Sequence, residues 1–92
     1  MSVALGQIVV SRAGRDTGKS FVVVRIIDQN FVEVADGSLR RIEKPKRKKI
    51  KHLNITDENA ESLGEKLKSS IRISNAEIRK ALASLNTQEN AE

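Results

Sequence analysis

The pattern Ala13-x-x-x-x-Gly18-Lys19-Ser20 has the residue types and spacing of a relaxed Walker A loop. In such a loop the glycines let backbone N–H groups wrap phosphates, the lysine reaches the outer phosphates and the serine ligates Mg²⁺. That chemistry needs a strand before the loop and a helix after it, so that the helix N-terminus faces the anion. Gly6–Ser11 before the loop reads as a strand. After Lys19 and Ser20 comes Phe-Val-Val-Val-Arg-Ile-Ile, with five β-branched residues in seven, and that is a second strand. With no helix there is no helix dipole and no stacked N–H array. A chain this short also cannot build the parallel sheet that supplies the second metal carboxylate. ATP or GTP hydrolysis is therefore rejected.

The second group is a charge run. Arg40 to Lys51 holds eight basic residues, Arg40, Arg41, Lys44, Lys46, Arg47, Lys48, Lys49 and Lys51, against the single acid Glu43. Held together, such charges repel unless they are solvated or matched by anions. Phosphate is the natural partner: each phosphate neutralised releases counterions, and arginine adds bidentate contacts. No neighbouring helix offers an apolar insertion face, which argues against a membrane-surface patch.

The remaining candidates offer no catalysis. His52 is the only histidine and lacks the partners a general base or a zinc site requires. It is expected to pack beside the sheet or to touch a ligand. The carboxylates Asp28, Glu33, Asp36 and Glu43 show no paired spacing, and Asp16 is expected to cap its own turn. With no cysteine there is no disulfide scaffold, cysteine nucleophile or cysteine zinc site. The expectation is a protein that is not an enzyme and needs no cofactor or metal.

Bulk charge agrees with a polyanion partner. The net charge is +5, divided into +7 over residues 1–56 and −2 over residues 57–92. The only aromatics are Phe21 and Phe31, both in apolar strands and both expected in the core. Single-strand readers need exposed aromatic platforms, so backbone and shape recognition of folded RNA is favoured over base reading. No apolar run is long enough to span a bilayer, and the first residues lack the pattern of a signal peptide. A cytoplasmic location and no membrane partner are expected.

Five short strands position these residues. Gly6–Ser11 and Phe21–Ile27 flank a turn at 12–18, where Gly14 and Gly18 supply positive φ or close backbone approach. Phe21–Ile27 is apolar on both faces and belongs in the middle of a sheet or covered on both sides. Phe31–Ala35 is a third strand with Val32 and Val34 toward the core. Asp36-Gly37 signals a two-residue hairpin, with both residues at positive φ, that returns as a fourth strand over Leu39–Glu43. Pro45 ends that strand, and Ile50–Ile55 forms a fifth. The spacing suggests a small twisted barrel.

After residue 56 the pattern becomes helical. Thr56 is a candidate N-cap for a first helix carrying Ala60, Leu63 and Leu67 on one face, weakened by Gly64. Ser69–Ile73 is a connection. Ser74 and Glu77 form a capping box, followed by Ile78, Ala81, Leu82 and Leu85 at helical spacing. This stripe either covers the barrel or, through Ile78, Leu82 and Leu85, binds a protein partner. Asn86–Glu92 is expected to be a frayed tail.

The hairpin resembles the KOW motif shared by NusG-type transcription factors and several ribosomal proteins, with Ile8, Val10, Gly18, Val22 and Val24 at its positions. The wording Ser-Arg-Ala-Gly-Arg-Asp-Thr-Gly-Lys, the stretch Asn30-Phe31-Val32 and the pair His52-Leu53 are similar to the KOW domain of the fourteenth-type large-subunit ribosomal protein family of archaea and eukaryotes. The resemblance covers residues 4–56. It implies a mainly β protein with α: an SH3-like, five-stranded antiparallel barrel over residues 1–56, followed by a two-helix extension over 57–92. It also implies that Gly18 holds the turn and that Arg12, Arg15 and Lys19 lie near an RNA backbone. The function expected is RNA binding on or near the ribosome, with the turn and the basic run acting together. The alternative is a protein-interaction adaptor of the transcription or translation machinery that uses the barrel edge or the last helix, since one fold serves both.

Overall fold

The computed structural model describes the backbone of residues 3–90 and side chains as far as Ser84. Five strands, β1 (Gln7–Ser11), β2 (Ser20–Ile26), β3 (Phe31–Ala35), β4 (Lys46–Lys49) and β5 (Leu53–Asn59), form one antiparallel sheet in the order β4-β3-β2-β1-β5. A short 3-10 turn at Ile50–His52 joins β4 to β5. Helices α1 (Glu61–Lys68) and α2 (Asn75–Asn90) follow.

The doubly apolar β2 sits at the centre of the strand order, as its residues require. Ile8, Val22, Val24 and Ala35 pack with Leu63, Ile73, Ile78 and Leu82 from the helical segment. On the opposite face Val9, Phe21, Val23, Val32, Val34 and Leu53 form a second cluster. Full burial of one such aliphatic or Phe side chain is worth about 1.5–3 kcal/mol, so two-sided coverage is what makes a run of four buried residues in β2 favourable. In β1 it is Val9, not Val10, that is wholly buried.

Several expected elements are revised, among them the fifth strand, which begins at Leu53 rather than Ile50 and runs to Asn59. Leu39–Glu43 is not a strand. Asp36 accepts hydrogen bonds from the backbone N–H groups of Ser38 (2.8 Å) and Arg40 (2.9 Å), which curls the chain into a loop instead of a two-residue hairpin. Of the two residues only Gly37 has positive φ (80°), and Leu39 is 75% exposed. The fourth strand is the basic run itself, paired to β3 with Phe31 opposite Lys49, Val32 opposite Lys48 and Glu33 opposite Arg47.

Thr56 is not a helix cap. It lies in β5, which continues to Asn59 across a bulge against β1. Its hydroxyl donates to the Ile8 carbonyl (2.8 Å) and accepts from the Glu58 N–H (3.1 Å), so the residue satisfies bulge backbone. The first helix starts at Glu61 instead, with an acid in its first turn and Lys66 and Lys68 in its last, in accord with the macrodipole. It ends in a Schellman arrangement: Ile71 N–H donates to Lys66 O (2.7 Å) and Ser70 N–H to Leu67 O (3.2 Å), with Ser70 at φ 59°.

Helix α2 is capped as expected by Ser74, whose hydroxyl accepts from the Glu77 N–H at 3.1 Å. Glu77 itself turns to Lys66 of α1, 3.2 Å away, and so ties the two helices. Helical backbone extends to Asn90, past the tail start expected at Asn86, because the sequence Asn-Thr-Gln-Glu-Asn contains no Gly or Pro to stop it. The last two residues of that expected tail lie outside the described residues, as does the side chain of Leu85.

Candidate nucleic-acid interface

The 12–19 turn is closed by its own backbone. Ser11 N–H donates to Lys19 O (2.9 Å), Gly18 N–H to Ser11 O (2.7 Å) and Lys19 N–H to Asp16 O (2.9 Å). Gly14 and Gly18 stand at φ 78° and 88°, and a Cβ at either would meet nothing within 4 Å, so their constraint is torsional. The N–H groups of Thr17, Gly18 and Lys19 are spent inside the turn, and Ser20 opens β2 where a Walker loop would open a helix.

Asp16 does not cap this turn with its side chain. Its carboxylate is buried and lies 3.3 Å from Lys48 Nζ, 3.4 Å from Arg40 Nη2 and 4.0 Å from Lys19 Nζ. Burial raises its pKa. The hydrogen bond and charge of Lys48, and then those of Arg40, outweigh burial and hold the carboxyl below its ordinary value of 3.8. One acid from the turn thus joins the turn, the 36–45 loop and β4.

Strand register explains why Lys48 is chosen. Opposite residues of an antiparallel pair share a face, so Lys48 lies on the side of Val32 while Arg47 and Lys49 lie with Glu33 and Phe31. Lys48 is accordingly only 11% exposed, and its ammonium also approaches Ser11 Oγ at 3.4 Å. Ser11 is itself buried and donates to Ala13 O at 3.0 Å. Arg40 is half-buried beside Asp16. The other basic residues named from sequence, Arg12, Arg15, Lys19, Arg41, Lys44, Lys46, Arg47, Lys49 and Lys51, are exposed. The fold therefore brings the two basic segments together through Asp16 and internalises one lysine in doing so.

The C-terminal helix holds the basic loop from behind. Asn75 accepts from the Ile42 N–H (2.8 Å) and donates to both oxygens of Glu43 (2.9 and 3.0 Å). Arg79 donates to Gly37 O at 2.6 Å. The Asn75 hydrogen bond, then that from the backbone N–H of Glu43 itself, lower the Glu43 carboxyl below its ordinary 4.5. Of the expected partner stripe, Ile78 and Leu82 are buried against the sheet, so neither is free to meet a partner.

Phe31 departs from expectation. Phe21 is wholly buried, but Phe31 is half-exposed with the Arg47 guanidinium 4.7 Å from its ring centroid and Lys49 Nζ at 6.0 Å. Arg12 and His52 meet through the backbone, Arg12 N–H donating to His52 O at 2.9 Å, and His52 is half-buried. The roles of Asp16, Ser11, Asn75 and Phe31 were not apparent from sequence. The inward side of Lys48 follows only from the β3 register, which places it opposite Val32.

No protein-family model matches the chain. Curated relatives do. Large ribosomal subunit protein eL14 of Methanococcus maripaludis strain C6 is 33% identical over 60 residues, covering 65% of this chain and 71% of the relative. The chain belongs to the eL14 family. The eL14 protein of Desulfurococcus amylolyticus is 38% identical over 58 residues, covering 63% of this chain and 60% of the relative. Membership in the eL14 family bears out the KOW-type ribosomal resemblance carried by Gly18, Asn30-Phe31-Val32 and His52-Leu53. Among the described residues, no helix of this eL14-family chain is long and apolar enough to cross a membrane.

Proposed function

We propose that this eL14-family chain is a non-enzymatic RNA-binding protein of the large ribosomal subunit in the cytoplasm. It holds the backbone of folded ribosomal RNA between its 12–19 turn and its basic edge strand. The five strands act as an SH3-like barrel, with the Ile50–His52 turn carrying the chain from β4 to β5. The observation that carries the reading is the Asp16 clamp, which sets the exposed cations of the turn beside those of the 40–51 segment. Arg12, Arg15 and Lys19 on one side and Arg41, Lys44, Lys46, Arg47, Lys49 and Lys51 on the other then meet phosphates, while Lys48 and Arg40 hold the frame. Such contacts fix position and orientation and carry no base sequence themselves. Gly14 and Gly18 shape the turn that presents them.

Crosslinking in cells followed by RNA sequencing tests this. The expected result is enrichment of large-subunit ribosomal RNA, with crosslinked peptides from residues 12–19 and 40–51. Recovery of messenger or transfer RNA alone, or of crosslinks confined to α1 and α2, would contradict it.

A further inference from the structure

A groove of about 580 Å³ opens between the start of β3, the Ile50–His52 turn and β5. Ile50, Leu53 and Phe31 give it an apolar lining, Arg12, Lys49 and Lys51 bring positive charge, and Asn30 adds a carboxamide. Its volume falls in the range of about 300–1,000 Å³ typical of small-molecule sites. Arg47, whose guanidinium stands over the Phe31 ring, does not line the groove, whereas Lys49, whose ammonium is 6.0 Å from the same ring centroid, does.

The composition matches one kind of occupant. A nucleotide joins a flat, largely apolar base to an anionic phosphate. The groove joins an aromatic and aliphatic lining to three exposed cations, Arg12 just after β1, Lys49 of β4 and Lys51 of the Ile50–His52 turn. We propose that it receives a single unstacked base of the bound RNA, which lies against Phe31, Ile50 and Leu53 while its phosphates meet Arg12 and Lys49. Asn30 offers both a donor and an acceptor to the base edge. This deepens the RNA-binding reading and rests on it, adding a base-reading point to a surface otherwise built for backbone contacts.

The probe is an RNA hairpin with one bulged adenosine, compared with the same hairpin carrying an abasic residue at the bulge. Both have the same phosphates and the same flexible joint. Stacking of one base on an aromatic is worth at least about fivefold in affinity. The full-length chain is expected to bind the adenosine bulge at least about fivefold more tightly than the abasic one. In Phe31→Leu, checked for folding by thermal melting, that ratio should fall to about one while affinity for the abasic hairpin stays the same. Equal affinity of the wild type for both hairpins overturns the inference and leaves backbone binding standing; a groove built for an acidic peptide would give that result. A ratio that survives Phe31→Leu also overturns it. If neither hairpin binds, the RNA reading itself falls and takes the groove with it.

Discussion

Asp16 and Lys48, 32 positions apart in sequence, meet at 3.3 Å with side chains 8% and 11% exposed. A basic run that looks like a solvated loop in the sequence thereby contributes one of its charges to the interior. Isolated surface pairs are worth little. This pair is shielded, and removal of one partner strands the other as a buried charge. Asp16→Ala is expected to destabilise the fold by about 3 kcal/mol in urea unfolding. Adding Lys48→Met should recover more than half of that loss, and simple additivity of the two changes would show that the pair is not coupled.

Acid sensitivity follows from the same carboxylate. Its pKa is depressed in the folded state, so between the folded value and the ordinary 3.8 the unfolded chain binds more protons. The stabilisation is therefore complete above pH 3.8 and is lost as pH falls through the folded pKa. Glu43, lowered by Asn75, acts in the same direction below its ordinary 4.5. Urea midpoints measured from pH 6 to pH 2 should fall in the acid range, and Asp16→Asn should show a shallower fall than the wild type. Parallel curves would remove Asp16 from the acid response.

Gly64 illustrates two opposed effects. Replacement of a helical glycine by alanine ordinarily gains about 1 kcal/mol. Here a Cβ would stand 2.5 Å from Leu5 O, because α1 crosses the chain at Leu5 and Gly6. Overpacking of this kind costs about 1–3 kcal/mol, and the obstacle is backbone that cannot rotate away. Gly64→Ala should lower the melting temperature, with a net loss of up to about 2 kcal/mol. A higher melting temperature would mean that the crossing is looser than described.

Asn75 reaches from the start of α2 to the basic loop. Asn75→Ala removes the partner of the half-buried Ile42 N–H, at a cost of about 1 kcal/mol. Hydrogen exchange should speed up at the Ile42 amide while amides in β1 and β2 stay protected. Unchanged exchange at Ile42 would separate the helix from the loop.

The sequence made some of this legible and hid the rest for identifiable reasons. The valine-rich β2 could be placed at the centre because both of its faces are apolar, a local property. Gly14 and Gly18 could be placed in the turn because only backbone torsion was at issue. The fourth strand was misplaced because Asp36-Gly37 looks like a hairpin locally, whereas the Asp36 carboxylate curls the loop and the pairing partner lies ten residues on, in Lys46–Lys49. Thr56 has the composition of a cap, yet a bulge against β1 claims its hydroxyl. Asp16, Lys48 and Phe31 depend on strand register, which no single segment encodes.

Binding of structured large-subunit ribosomal RNA across a salt series tests the central claim most directly. The affinity should fall steeply between low and physiological salt, by about 0.7–0.9 log unit per log unit of salt for each phosphate contacted. The triple variant Lys46→Ala, Arg47→Ala, Lys49→Ala keeps Lys48 in place and so spares the Asp16 clamp. It should weaken binding broadly and flatten the slope by about 2–3. A wild-type affinity that barely changes with salt, or a triple variant with an unaltered slope, would contradict the phosphate clamp at the turn and β4.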